Sequence, residues 1–262
     1  MGKNTEIPWC HHTFSPWGGC TRVSAGCGDA TGGGCYAETL AKRFQKIHGT
    51  WGMNGRRVVA SENMWRQPLK WNRAAEKEGV RKRVFCASMA DVFEDRTDLV
   101  MVRNRLFTLI GSTPMLDWLL LTKRPENVAG WEHWHRNAWL GVSVENQEMA
   151  EKRIPILLDL KRRYDIPVAF LSVEPMLGAV DIFLKGTVDI HGHFGAFDWV
   201  ICGGESGANA RPMEMSWALD LRRQCAKAGI PFFMKQGSAA NWPDFKNFSS
   251  FPPGLQVREF PR

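Results

Sequence analysis

The chain has 262 residues, 44% of them apolar, and carries a formal net charge of +7 with a pI near 9.2. That length suits a single α/β barrel, and the apolar share is enough for a substantial core. No run reaches the ~18–20 apolar residues of a membrane span, which excludes a helical membrane protein. The opening Met1-Gly-Lys-Asn-Thr-Glu-Ile-Pro-Trp9 lacks the apolar centre of a signal peptide. With no export signal, seven cysteines point to a reducing, cytoplasmic setting and to thiols or metal rather than disulfides. The basic balance suits a polyanionic partner. Glu151-Lys152-Arg153 and Lys161-Arg162-Arg163 read as solvated helix faces, which leaves Arg56-Arg57 and Arg81-Lys82-Arg83 as candidates for nucleic-acid contact.

The first predicted strand lies near Thr13 to Trp17, and a glycine-rich loop over 18–38 follows it, with Cys20, Cys27 and Cys35. Three thiolates are one short of the four that close a structural zinc or an ordinary iron–sulfur site. An open metal position is where a substrate or cofactor binds. Two other readings stand beside it: a closed zinc site completed by Cys10, His11 or His12, or small buried cysteines with no metal.

The segment from His48 to Asn72 reads as a long connection that could form a lid. Its Trp51, Trp65 and Trp71, interleaved with Arg56, Arg57, Arg66 and Arg73, suit either base stacking or packing onto the barrel. Beyond it, near-continuous apolar runs predict buried parallel strands at Arg83–Ser88, Asp117–Thr122, Ala138–Ser143, Val168–Ser172, Asp198–Gly203 and Pro231–Lys235. Amphipathic stretches predict helices over Leu99–Ile110, Gln147–Leu160 and Ser216–Ala228, the last N-capped by Ser216 and closed by Gly229. Trp118, Trp139 and Trp199, with Cys86 and Cys202, belong to the core, and Cys225 to a helix. Residues 238–262 read as an irregular tail. The alternation predicts one domain over 1–262, a full or partial (β/α) barrel of six to seven parallel strands, with an open doubly wound sheet as the alternative.

In such a barrel the residues past each strand's C-terminal end line one mouth. They are Ser88 and Asp91; Thr122-Lys123-Arg124; Ser143 with Glu145 and Asn146; Ser172 with Glu174; Gly203-Gly204-Glu205-Ser206; and Lys235-Gln236. Together they suit a charged, hydroxyl-rich ligand. An incomplete iron–sulfur cluster beside such a pocket is what binding of S-adenosylmethionine requires. A metal-free hydrolase using Glu145, Glu174 or Glu205 as acid and base is a third class of reading, and a zinc-stabilised nucleic-acid-binding module without catalysis is the second.

The stretch Trp9-Cys-His-His-Thr-Phe-Ser-Pro-Trp-Gly-Gly-Cys20-Thr-Arg-Val-Ser-Ala-Gly-Cys27, with Cys35-Tyr-Ala-Glu38, resembles a three-Cys-motif family of phages and prophages whose function is unknown. The resemblance runs on through Trp65-Arg-Gln-Pro-Leu-Lys-Trp-Asn72, Phe85-Cys-Ala-Ser-Met-Ala-Asp-Val-Phe93, Leu121-Thr-Lys-Arg-Pro-Glu-Asn127, Gly141-Val-Ser-Val-Glu-Asn146, Leu171-Ser-Val-Glu-Pro175 and Gly203-Gly-Glu-Ser-Gly207. That family looks like a branch of the radical S-adenosylmethionine superfamily, with some similarity to the lyase that repairs spore photoproduct. The resemblance implies a 4Fe–4S cluster on Cys20, Cys27 and Cys35, an external electron donor, and a nucleobase or nucleic acid as substrate, with room for a partner protein. Cofactor contacts are expected from Tyr36 (adenine), Asp91 (methionyl amine), Ser143 and Glu145 (ribose), and Ser88, Lys123, Glu174 and Glu205. Two features depart from the superfamily pattern. The gap from Cys27 to Cys35 holds seven residues instead of two, through an insertion around Asp29-Ala-Thr-Gly-Gly33. Gly203-Gly204-Glu205, similar to an element that normally ends the second strand, follows the sixth.

Overall fold

Each apolar run becomes a strand in the computed structural model, which describes residues 5–28, 34–128, 134–184, 187 and 197–261. The inserted residues 29–33 lie outside the described ones. The main sheet takes seven strands in the order β1 (His12–Phe14), β4 (Lys82–Cys86), β5 (Leu116–Thr122), β6 (Ala138–Ser143), β7 (Ala169–Val173), β8 (Trp199–Gly203) and β9 (Phe232–Gln236). A two-stranded antiparallel sheet joins β2 (Trp17–Gly18) to β3 (Val58–Val59). The predicted first strand is therefore two, parted where Pro16 denies the ladder a donor. The main sheet's strands follow chain order with no reversal, which is the topology of a partial (β/α) barrel and not of a doubly wound sheet.

The chain divides into two compact units that interleave in sequence. The first comprises Met1–Arg22, Ala37–Leu140 and Tyr164–Pro167. In it β1 pairs with β4 and β4 with β5, both parallel. The helices are α1 (Tyr36–Arg43, begun in the second unit), α2 (Gln45–His48), α3 (Glu62–Trp65), α4 (Gln67–Glu78) and α5 (Val100–Gly111). The segment expected to be a lid carries α3 and the start of α4 in its second half, and β3 before them. Its Trp65 and Trp71 are buried, so they pack rather than offer a stacking surface, and Trp71 lies 4.4 Å from the His12 ring. Trp118 is fully buried as expected, whereas Trp139 is only half-buried.

The second unit comprises Val23–Tyr36, Gly141–Arg163 and Val168–Arg262. There β7 pairs with β8 and β8 with β9, again parallel, with helices α6 (Gln147–Tyr164) and α7 (Met215–Ala228). Helix α7 starts one residue before the predicted cap: Glu214 is the N-cap, and its side chain makes no capping bond. The tail is more than irregular. The Met234 N–H donates to Val257 O at 2.9 Å and the Glu259 N–H to Phe232 O at 3.0 Å, so residues 257–259 cover the outer edge of β9. Gly141 of β6 faces the Phe170 ring so closely that no Cβ fits. Gly141→Ala should destabilise the fold by about 1–3 kcal/mol through overpacking, read as a lower urea midpoint with an unchanged m-value.

Candidate functional site

The cysteine loop is fixed by charges at the strand ends. In the second unit, Glu145 follows β6 and is completely buried. An unpaired carboxylate could not stay ionised there. Arg153, one helical face away on α6, donates from Nη1 to Glu145 Oε2 at 2.8 Å and also to Ser143 O at 2.8 Å. The other oxygen accepts from the Ser24 hydroxyl at 2.7 Å. Gly26 lies against the same carboxylate with no space for a Cβ. A second tether comes from Glu205, after β8. It is paired with Arg211, whose Nε lies 3.2 Å from both carboxylate oxygens and whose backbone N–H donates to Oε2 at 2.8 Å. Arg211 Nη1 then donates to Ala25 O at 2.8 Å. Residues 24–26, just before the buried Cys27, are held from two strands at once.

In the first unit the same device holds Cys20. Arg57 and Glu94 form a buried pair, with Nε–Oε2 2.7 Å and Nη2–Oε1 2.6 Å. Arg57 also donates to the Thr21 hydroxyl at 2.9 Å, and to the carbonyls of Thr50, Gly52 and Gly55. Arg124 donates to Asp91 at 2.9 Å and to Thr21 O at 2.6 Å, and its Nη1 lies 3.8 Å from Cys20 Sγ. Burial, more than the nearby Asp91 and Glu94 carboxylates, pushes the Cys20 thiol up to about 12 against the pull of Arg124. Any metal bound there must displace a proton.

The expected cofactor residues are placed unevenly. Both Asp91 oxygens are filled: Oδ1 accepts from Phe93 N and the Thr122 hydroxyl, Oδ2 from Lys123 N and Arg124. Glu145 and Glu205 are committed to the loop. Glu174, after β7, differs. Lys235 Nζ stands 2.6 Å from its Oε1 but off the hydrogen-bonding direction, leaving that buried atom without a hydrogen bond, while Oε2 lies 3.3 Å from the Ser172 hydroxyl. Gly203 leaves room for it, since a Cβ there would meet Oε1 at 2.7 Å. Ser143 is buried, and Ser88 lies 3.4 Å from the Ser15 hydroxyl. Tyr36 is 55% exposed, so it is not a core contact.

Glu94 and Arg211 carry no sequence signal, because each lies away from the strand end it serves; Arg57, expected to contact nucleic acid, and Arg153, expected on a solvated helix face, are instead buried in ion pairs with Glu94 and Glu145. Cys10, His11 and His12 belong to the start of β1, where His11 Nδ1 accepts from the backbone of Arg83 at the beginning of β4. Cys20 sits past the other end, with Gly19 N on Met89 O beyond the end of β4. Five residues of strand separate the two places, roughly 15 Å, so none of the three completes a site with Cys20. Arg81-Lys82-Arg83 is engaged within the protein, by Asp117, Glu78 and Trp9 O respectively. Cys86 and Cys202 are fully buried, and burial pushes both thiols well up; Cys225 is pushed up to about 12.

No group of three or more His, Cys, Asp or Glu side chains among the described residues is placed to hold a metal ion. Cys20 belongs to the first unit, Cys27 and Cys35 to the second. Residues 4–249 match the family model described as "Protein of unknown function (DUF5131)". The chain belongs to that family. No curated protein and no solved structure matches it. No described helix is long and apolar enough to cross a membrane.

The buried Arg57–Glu94 pair supplies a direct test of how the loop is held. Arg57→Met should cost about 3–5 kcal/mol, because Glu94 is left buried, and Arg57→Met with Glu94→Leu should recover much of it, both read by urea denaturation. Burial pushes the Glu94 carboxyl up, but the bonds from Arg57 and Thr21 outweigh it and hold it below the usual range. Its contribution should therefore be complete above the unfolded value of about 4.3 and vanish as pH falls through the lower folded one.

Proposed function

We propose that this chain is a radical S-adenosylmethionine enzyme, with Cys20, Cys27 and Cys35 as ligands of a 4Fe–4S cluster and a nucleobase or nucleic acid as substrate. The observation that carries the reading is the investment of buried charge in the cysteine loop. Glu145 with Arg153 and Glu205 with Arg211 hold residues 24–26, while Arg57 and Arg124 hold Thr21 beside Cys20. A loop of inert cysteines has no need of such support; ligands that must meet one small cluster do. The donor set suits iron in kind, three soft thiols with one position left open. The described residues do not hold the three thiols as one group, so loading requires the loop to draw them together.

When bound, the cluster would supply the electron, drawn from an external low-potential donor, that cleaves the sulfonium into methionine and a 5′-deoxyadenosyl radical. The chain's own residues bind and orient. Glu174 is the strand-end carboxylate held least, its buried Oε1 having Lys235 Nζ at 2.6 Å but no directed hydrogen bond, so it is the residue we assign to a cofactor hydroxyl or amine. Asp91, Glu145 and Glu205 are better read as supports, since the partners each would have to surrender also hold the cysteine loop. The same saturation argues against the hydrolase reading, in which two of those glutamates serve as acid or base. Two supports for the substrate class weaken: Trp65 and Trp71 are buried, and the basic run at 81–83 is paired. The net charge of +7 and the family resemblance remain behind it. A base in duplex DNA would have to be flipped out to meet the radical.

Anaerobic reconstitution with iron and sulfide tests the reading. The reduced protein should give a 4Fe–4S electron paramagnetic resonance signal that shifts when S-adenosylmethionine is added and is absent from Cys20→Ala. Stoichiometric zinc without iron would overturn it. In Glu174→Gln the iron content should hold while the cofactor concentration needed for the shift rises about 10- to 100-fold, the loss of one charged hydrogen bond. DNA affinity that falls steeply with salt supports the substrate class; no affinity, or one indifferent to salt, sinks it.

A further inference from the structure

Helix α4 buries Pro68, Trp71 and Ala75 on one side and turns Arg66, Lys70, Arg73 and Lys77 outward on the other, all four exposed. Their spacings of four, three and four residues bring them within an arc of about 60°. Arg66 is the N-cap, but its φ of −78° and ψ of −17° are helical, so it keeps phase with the rest. None of the four makes an ion pair or a side-chain hydrogen bond among the described residues. The nearby acids are engaged elsewhere: both Glu62 oxygens accept from Arg105 at 2.6 Å, and Glu78 pairs with Lys82 at 2.7 Å. That leaves Glu76, at the edge of the row, against four cations. A solvated helix face ordinarily mixes its signs, as α6 and α7 do: Arg163 lies 2.7 Å from Asp159, and Arg223 2.9 Å from Asp220. Like charges one turn apart repel, so α4 is worse off for this row unless something negative lies along it.

We infer that the outer face of α4 is a docking surface for the phosphate backbone of a nucleic acid. From Arg66 to Lys77 the row covers about 16 Å of helix axis. One strand of a duplex carries a phosphate about every 3.4 Å of its length, roughly five over that distance. A small anion would satisfy one or two of the cations; a polymer of phosphates meets all four. An anionic membrane fits less well, because a helix that lies on lipid keeps an apolar face for it, and the apolar face of α4 is buried in the protein. Contacts to phosphate fix a nucleic acid in place and carry no sequence information. The surface stands without any cluster; that the polymer it holds is the enzyme's substrate rests on the function proposed above.

The test is the salt dependence of binding to a fluorescein-labelled DNA duplex, read by fluorescence anisotropy on the full chain. Each phosphate contact contributes about 0.9 to the slope of log affinity against log salt, so four contribute about 3.6, a loss of about 100-fold between about 50 and 200 mM. In Arg66→Gln/Lys70→Gln/Arg73→Gln/Lys77→Gln that part of the slope should disappear, equally for duplexes of different sequence. Lys70→Gln/Arg73→Gln should remove about half of it, and carries the test if circular dichroism shows that the quadruple variant does not fold. A control that takes four exposed cations from α6 and α7, Lys152→Gln/Arg162→Gln/Arg163→Gln/Arg223→Gln, should keep a slope close to that of the wild type. A slope unchanged in the α4 variants, or lowered as much in the control, overturns the inference. So does binding to vesicles of phosphatidylserine and phosphatidylcholine with none to DNA. Iron loading separates the two readings. If the α4 variants lose the slope but the wild type loads no iron, the surface stands and the proposed cluster falls. If the wild type loads iron and responds to S-adenosylmethionine while the α4 variants bind DNA as it does, the surface falls and the cluster stands.

Discussion

A carboxylate taken out of water without partners costs several kcal/mol or gives up its charge, so Glu145, fully buried after β6, constrains everything around it. Its partners come from opposite directions in sequence: Arg153, eight residues on, and Ser24, in the cysteine loop. The helix that supplies Arg153 must start where it does, because Gln147 begins α6 only two residues after the carboxylate. The loop must bring Ser24 close, and it does so with Gly26 lying flat against the same group. The backbone of Glu145 is spent too, its carbonyl accepting from Leu177 N at 2.8 Å. The shape of the chain ahead of Cys27 follows from satisfying one buried charge.

The other buried charges repeat the pattern. Glu205 reaches Ala25 through Arg211, and Glu94 and Asp91 reach Thr21 through Arg57 and Arg124. In each case an acidic strand-end residue neutralises an arginine, and the arginine's remaining donors bind loop backbone or a hydroxyl. Arginine suits this work because its planar fork makes several bonds at once and keeps its charge when buried. Lysine could not hold Thr50, Gly52, Gly55 and Thr21 together as Arg57 does. The arrangement explains why strand ends rich in glutamate need not form an open polar pocket: most of that charge is already used.

The strands were legible because parallel strands buried on both faces are written as apolar runs, and each of the six runs returned a strand within about two residues of its expected ends. Gly229 was legible as a helix stop because αL favours glycine. The helices within 48–72 were not legible because the segment lacks a strong apolar period, and they are stabilised instead by Trp65 and Trp71 packing inward. Candidate ligands at strand ends were legible as positions but not as states. Asp91 and Glu174 look alike in sequence, and only the fold shows four hydrogen-bond donors on one and a lysine ion pair with a single serine hydroxyl on the other. The arginine partners were illegible because they lie six to 37 residues from the acids they serve, with no local pattern to mark them.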